Sequence, residues 1–273
     1  MRLWIVTVNF GETSATKSLI DSVESLKNCN SIKVGIADNA CSDESTHQLK
    51  KITQKTNLDI KIFSYKKNHY YWPSAKKVIN NMKNSIGDYP DWIIICNNDI
   101  VFSDKDFIHK LEKINKTKYP IIGPDIINSY GVKSNPFMVS PLSVLERFYW
   151  NLYFISYPLS KFILLINKIF KPLLTKSKSN DLITKKQVYA VHGSFILFSK
   201  SFFHKGGWID DNFEMYGEEL SIAEIAKKLK IPITYFSKLK VIHHEHRSTN
   251  IISNRLLFNK AKESHKYFKS ISQ

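Results

Sequence analysis

Three groups of side chains in this 273-residue chain have types and spacing that could do chemistry: Asn97-Asn98-Asp99, the pair Glu218-Glu219, and the imidazoles His243, His244 and His246. An aspartate beside amide oxygens suits a hard cation such as Mg²⁺ or Mn²⁺, and such a cation suits a phosphate-bearing ligand. Mg²⁺ commonly binds through one or two carboxylates plus substrate phosphates, which Asp99 could offer. The same tripeptide is also an ordinary Asx turn. Glu218-Glu219 opens a helical stretch, where carboxylates complement the helix dipole. The functional reading is a general base that takes a proton from an acceptor hydroxyl. For the histidines, alternation along a strand sends neighbours to opposite faces. No other Cys or His has metal-ligand spacing, so a closed zinc site is not expected. One histidine sharing a cation with Asp99, or a solvated polar loop, remain as readings.

The elements that must position these residues follow from apolar periodicity. Trp92–Cys96 is an unbroken apolar run too short for a helix, so it reads as a buried central strand with Asn97–Asp99 at its carboxyl end. Leu3–Phe10, Ile32–Ala37 and Leu58–Ser64 read as three earlier strands. An amphipathic helix over Ser14–Lys27, a polar one from Ser42 or Asp43 to about Gln54, and an amphipathic one from near Pro73 to Ile86 separate them. Strands alternating with helices imply a mainly parallel sheet covered on both faces. Polar residues collect at the strand ends: Asn9, Asp38-Asn39, Asn68 and Asn97–Asp99. In open α/β sheets that edge is where ligands bind. Further on, Asp104–Ile114 reads as a short helix and Tyr119–Gly123 as a strand. Gln187–Ser199 is strand-like with His192-Gly193-Ser194 at its centre. A helix is expected over Glu218–Lys230, then strands at Ile233–Phe236 and Lys240–His243, and a closing basic helix over Ser253–Ile271.

Composition bounds the rest. Forty Lys and Arg against twenty-four Asp and Glu give +16, which suggests a polyanionic partner: nucleic acid, an anionic membrane surface or phosphorylated substrates. Nucleic-acid binding would need aromatics interleaved with basic residues on an exposed sheet. Here the aromatics concentrate between Pro141 and Lys186, so no nucleic acid is expected. Cys29, Cys41 and Cys96 read as free thiols in a reducing compartment. The N-terminus has no signal-peptide layout, and no stretch reaches the ~18 apolar residues of a membrane span. The expected location is therefore cytoplasmic. The aromatic, basic stretch over 138–186 reads either as a segment lying on the inner face of the plasma membrane or as a helical insertion covering a hydrophobic groove.

Neither a G-x-G-x-x-G, nor a Walker A loop, nor a G-x-S-x-G elbow occurs. With no glycine cradle, a metal would have to hold any diphosphate. Seven segments, IVTVNF, IADNACSDES, KNHYYWPSAKKVIN, IIICNNDIVF, VHGSFILF, GGWIDDNFEMYGEELSIAEIAKKLKI and VIHHEHRST, together resemble the family 2 glycosyltransferases, particularly the bacterial rhamnosyltransferase-like branch. The likeness covers roughly residues 3–125 and 187–250. It implies a GT-A fold as one domain: a nucleotide-sugar-binding half (1–125), a basic aromatic insertion (138–186), an acceptor and catalytic half (187–250) and a C-terminal helix (251–273). It also implies Mg²⁺ or Mn²⁺ and inverting transfer of rhamnose or another hexose. The donor would be dTDP- or UDP-linked and the acceptor a glycan or lipid-linked glycan of surface polysaccharide synthesis. By resemblance, Thr7 and Asn9 line the nucleotide pocket, Asp38 binds the base with Asn39 and Asp43 in the same loop, and Asn68 contacts the nucleoside. Asn97, Asn98 and Asp99 stand in place of an Asp-x-Asp motif, with Asp99 the metal ligand. His192-Gly193 lies beside sugar and acceptor. Glu219 is the base with Glu218 in reserve, and His243 is a late histidine near the metal, with Ser248 after it. Where the family is glycine-rich, YYWPSAKK puts two bulky aromatics and a proline, which implies an altered donor pocket. A polyanion-binding protein, or a relic that binds sugar nucleotide without turning it over, are the alternatives from other classes.

Overall fold

The computed structural model describes residues 1–174, 185–244 and 253–272, with backbone only over 168–174. His246 and Ser248 therefore lie outside the described residues. In β1 (Leu3–Asn9) every residue is buried: Trp4, Val6 and Val8 enter one core, Leu3 and Ile5 the other. β4 (Trp92–Asn97) repeats this, with Ile93 and Ile95 on the first side and Trp92, Ile94 and Cys96 on the second. Strands apolar on both faces need cover on both. On the first face α3 (Tyr71–Ile86) brings Trp72, Val78, Ile79 and Met82, α7 (Lys200–His204) brings Phe202, and α8 (Glu218–Lys228) brings Ile222 and Ile225. On the second, α1 (Ser14–Glu24), α2 (Asp43–Thr53) and α4 (Phe107–Glu112) bring Leu19, Ile20, Leu49 and Phe107.

Among the described residues the strands form one nine-stranded sheet in the order β3 (Asp59–Ser64), β2 (Ile32–Asp38), β1, β4, β8 (Phe195–Ser199), β6 (Ile121–Asn128), β9 (Ile233–His243) and β5 (Ile100–Val101), with β7 (Lys185–Val188) on β9. β2 is Ile32–Asp38 and β3 Asp59–Ser64; with β1 and β4 they run parallel, so Asn9 pairs with Asp38 and Val8 with Asn97 at one edge. The other half is mixed. β8 (Phe195–Ser199) runs antiparallel to β4 and so begins where β4 ends, with the Asn97 N–H donating to the Ser194 carbonyl at 2.9 Å. β9 (Ile233–His243) runs parallel to β6 (Ile121–Asn128) and finishes at the same edge, where His243 pairs with Ile100 of β5 (Ile100–Val101). Chain reversal after β4 thus brings distant sequence to the Asp99 turn.

Four sequence expectations change. Gln187–Ser199 is not one strand: β7 is Lys185–Val188, and His192–Ser194 form a turn before β8. The two strands expected at 233–236 and 240–243 are one, because the register against β6 shifts between Pro124 and Asp125 and absorbs residues 237–239. β6 itself continues past Gly123 to Asn128. Ile100–Val101, given no element from the sequence, forms β5.

Residues 138–174 form α5 (Val144–Tyr153) and α6 (Tyr157–Leu174). A capping box closes the start of α5, with Ser143 accepting from the Glu146 N–H and Glu146 accepting from the Ser143 N–H. Pro158 is accommodated because it sits in the first turn of α6, where its missing N–H would have had no partner. Both helices pack on α9 (Asn254–Ile271) through Tyr153, Phe154 and Tyr157 around Phe258, with ring centroids 6.1, 5.8 and 5.5 Å apart. Among the described residues no helix is long and apolar enough to cross a membrane.

Gly35 lets α3 close on β2: a Cβ there would lie 2.4 Å from Val78 Cγ1 and 2.8 Å from Met82 Sδ. Gly35→Ala is expected to cost about 1–3 kcal/mol by overpacking, read from the urea midpoint. Val78→Ala in the same chain should recover part of that loss. Purely additive effects would contradict the close approach.

Candidate active site

Eight of the residues singled out in sequence line one cleft of about 230 Å³: Asn39, Asn68, Asn97, Asn98, His192, Gly193, Glu218 and Glu219. Tyr70, Tyr71, Met215 and Tyr216 complete much of its wall. No Lys or Arg lines it among the described residues, although the chain carries +16. A diphosphate bound there would find no cationic side chain in that lining.

Asp99 and His243 adjoin the cleft through Asn97, and both are buried. The turn after β4 presents Asp99, and the His244 N–H donates to its carbonyl at 3.0 Å, tying the turn to the end of β9. His243 Nε2 stands 3.3 Å from Asn97 Nδ2 and 3.1 Å from Asp99 Oδ1. Asp99 Oδ1 receives no hydrogen bond, and the His243 ring nitrogen stands within ion-pair distance of it. A buried carboxylate oxygen and a ring nitrogen converging in this way are a donor set that fits a divalent metal. Among the described residues no cluster of three His, Cys, Asp or Glu exists, which leaves such an ion dependent on further oxygens from a ligand. His244 turns the other way, to Ser129 Oγ at 3.1 Å.

The carboxylate pair is held by backbone. Glu218 Oε2 accepts from the Gly217 N–H and Glu219 Oε1 from the Gly193 N–H, each at 2.8 Å. A side chain at Gly193 would displace Glu219, since a Cβ would sit 2.8 Å from Glu219 Oε1 and 3.2 Å from Glu218 Cβ. Tyr71 Oη donates to the Gly193 carbonyl at 3.1 Å, fixing that residue from its other side. Burial raises both glutamates above the usual carboxylate range, and the charge of Glu219 adds to the rise at Glu218, which reaches about 7. Burial also pushes the Tyr71 phenol well above its ordinary value, so it stays a neutral donor. The helix N-terminus and its N–H groups oppose these rises without cancelling them.

The remaining predicted residues sit around this centre. Asn39 lines the cleft but spends its amide on the loop, with Nδ2 donating to the Tyr70 carbonyl at 2.7 Å and to Ser74 Oγ at 2.8 Å. Asn68 Oδ1 accepts from the Tyr70 N–H at 2.7 Å. Together they hold Tyr70 at φ 59°, ψ −162°, a region nearly closed to side chains. Tyr216, across the cleft, is also at positive φ, 61°. Asp38 is buried and accepts from Ser45 Oγ at 2.8 Å and Thr46 Oγ1 at 2.9 Å, with the Asn9 amide at 3.4 Å. Asn9 in turn accepts from Thr16 Oγ1 at 2.7 Å, so Asn9 and Asp38 form a polar layer at the edge of the sheet. Thr7 is fully buried opposite Cys96 in register, outside the cleft lining. Asp43 is the exposed first residue of α2, after the Ser42 cap, and also lies outside it. Sequence reasoning flagged the Tyr70-Tyr71 pair as bulk only. It missed Tyr216 and Asn135, whose Oδ1 accepts from the His192 N–H at 2.7 Å.

No protein-family model and no curated protein matches the chain. Solved structures do. S. aureus TarS 1-349, also solved in complex with UDP-GlcNAc, is similar with a TM-score of 0.59 at 9% identity, over 89% of this chain and 60% of that one. GalNAc-T7 with UDP, GalNAc and Mn²⁺ is similar with a TM-score of 0.57 at 13% identity, over 90% of this chain and 44% of that one. The mannosyltransferase PcManGT from Pyrobaculum calidifontis, in complex with GDP-Man and Mn²⁺, gives 0.54 at 9% identity, over 98% of this chain and 69% of that one. The chain therefore spans less than two thirds of the length of the first two. Its fold is the GT-A fold expected from sequence.

The raised pKa at Glu218 has a sign that stability reports. A folded carboxyl at about 7 against an ordinary 4.5 keeps its proton longer than the unfolded chain does, so the stability this group contributes is fully present below pH 4.5 and falls as pH rises towards 7. Glu218→Gln should remove that loss and stabilise the protein at pH 8 by about 1–3 kcal/mol, with no gain near pH 4. Equal changes in melting temperature at the two pH values would contradict the assignment.

Proposed function

We propose that the protein is an inverting glycosyltransferase that moves a hexosyl group from a dTDP- or UDP-linked donor to an acceptor hydroxyl. The observation that carries this reading is a buried Asp99 oxygen without a hydrogen-bond donor, adjoining through Asn97 a cleft lined by a carboxylate pair with raised pKa. The similar structures that hold UDP-GlcNAc, UDP or GDP-Man, two of them with Mn²⁺, support it. Rhamnose as the sugar and surface polysaccharide as the pathway rest on the sequence resemblance.

Asn68 and the Tyr70-Tyr71 wall receive the nucleoside side of the donor, with Asn39 holding that wall in place. Asp99 and His243 would hold Mg²⁺ or Mn²⁺, which supplies positive charge against the diphosphate in a cleft lined by no Lys or Arg among the described residues. Glu219 is the base. Its Oε1 is fixed by Gly193, it is less buried than Glu218, and its second oxygen is left for the acceptor. The acceptor oxygen forms a bond to the anomeric carbon as its proton passes to Glu219. The bond from that carbon to the diphosphate oxygen breaks, and the electron pair leaves with the nucleoside diphosphate. One displacement on one face inverts the anomeric centre. The transition state resembles that of glycoside hydrolysis with an alcohol in place of water.

Screening nucleotide sugars with Mn²⁺ by thermal shift should single out a donor, since a ligand that binds only the folded state raises the melting temperature by mass action. With that donor, Glu219→Gln should keep the thermal shift while transfer slows by ~10²–10⁴. Full turnover in the variant would remove Glu219 from the role. No shift with any nucleotide would remove the reading as a whole.

A further inference from the structure

Glu218 and Glu219 also line a second cavity of about 760 Å³, walled mainly by α5, α6 and α9. Asn98 stands on another side of the cleft, and its amide reaches back to α1. A chain of polar side chains starts there and ends at Asp38. Asn98 Nδ2 donates to Thr16 Oγ1 at 3.0 Å, and Thr16 Oγ1 donates to Asn9 Oδ1 at 2.7 Å. Asn9 Nδ2 donates to Ser45 Oγ at 3.2 Å, with Asp38 Oδ1 at 3.4 Å, and Ser45 Oγ donates to Asp38 Oδ1 at 2.8 Å. All five residues are buried.

The direction of every bond follows from the group at the end. A carboxylate only accepts, so the Ser45 hydroxyl donates to it and Asn9 turns its NH₂ the same way. The Asn9 carbonyl oxygen is then left to accept, and Thr16 spends its one proton there. Thr16 can therefore only accept from Asn98, which sets the Asn98 amide with its nitrogen towards α1 and its oxygen left for the cleft. Bonds aligned head to tail in a buried setting polarise and strengthen one another. Farther along α1, Ser22 Oγ accepts from the Phe102 N–H at 3.1 Å. Asp99 lies between these two points of attachment, and the His244 N–H holds its carbonyl from β9.

The family resemblance makes Asp38 a base contact, yet it stands outside the cleft lining with both oxygens engaged. Besides Ser45, Oδ1 accepts from the Ala40 N–H at 3.3 Å, and Oδ2 accepts from Thr46 Oγ1 at 2.9 Å. We propose that Asp38, Asn9 and Thr16 are positioning residues: through this chain they set the Asn98 amide, and with it the turn that presents Asp99, without touching the donor. The inference rests on the transferase reading for what that turn does. It moves Asn9 and Asp38 from contact with the nucleotide to alignment of the metal end of the cleft. Asp38→Asn would remove the group that only accepts, so the chain could run either way and Asn98 could turn an NH₂ to the cleft, where it would oppose a cation.

Mn²⁺ affinity of the UDP complex, read by electron paramagnetic resonance, should fall about tenfold in Thr16→Val and in Asp38→Asn. Thr16→Ser, which keeps the hydroxyl, should hold it, and UDP binding without metal should be unchanged in all three. Leu19→Ala, on the core face of the same helix, should lower the melting temperature and leave Mn²⁺ affinity alone, which separates positioning from loss of stability. With no ligand present, hydrogen exchange at the His244 N–H should quicken about tenfold in Thr16→Val and Asp38→Asn but not in Thr16→Ser. Weaker metal-free UDP binding by Asp38→Asn would overturn the proposal, because Asp38 would then touch the nucleotide. So would Mn²⁺ affinity that is unchanged in both variants, or that falls equally in Leu19→Ala. If the unaltered protein takes up no Mn²⁺ with UDP, the transferase reading fails, and exchange at His244 still decides whether the chain holds the turn.

Discussion

The arrangement depends on one buried contact: a carboxylate oxygen of Asp99 and a ring nitrogen of His243, 3.1 Å apart, with no hydrogen bond reaching that oxygen. A buried carboxylate oxygen that lacks a donor costs folding free energy, and the sheet topology sets it there. β4 ends at Asn97, the turn carries Asp99, and β9 arrives from the far half of the chain to place His243 against it. The hydrophobic cores on either side of β1 and β4 supply the stability that tolerates such a site. In the proposed reading, a divalent ion with a diphosphate would satisfy the same groups.

The second charged centre obeys the opposite logic. Glu218 and Glu219 open α8, where an exposed pair would merely complement the helix dipole. Buried at the junction of two cavities, they instead hold protons to higher pH, and the Gly193 N–H aims one oxygen of Glu219. Tyr71 and the absence of a side chain at residue 193 are as much part of that aim as the carboxylate itself. The pair thereby stands between two cavities, with aromatic helices behind it.

Much of the fold was legible because its signals are local. Apolar runs broken by Asn or Asp marked the parallel strands, and the polar ends at Asn9, Asp38 and Asn97 gave the edge where the cleft lies. What could not be read were features set by pairing between distant segments. The reversal at His192–Ser194 looks like strand interior in sequence because Val191 and Phe195 flank it with apolar bulk. The register shift opposite Pro124 made one strand look like two. Asp43 and Asn39 show a further limit. Residue type marks a polar loop, but which amide faces ligand and which clamps a strained Tyr70 depends on hydrogen bonds no spacing encodes. The aromatic stretch gave the composition of α5 and α6, while their groove against α9 exists only in three dimensions.

The measurement that bears most directly on the Asp99–His243 contact is electron paramagnetic resonance of Mn²⁺ titrated with UDP, with and without protein. The spectrum of aqueous Mn²⁺ should fall at one ion per chain beyond the loss that UDP alone produces, and Asp99→Asn should return it to the UDP-only level. Equal Mn²⁺ uptake by the Asn variant, or none by the unaltered protein, would contradict the account.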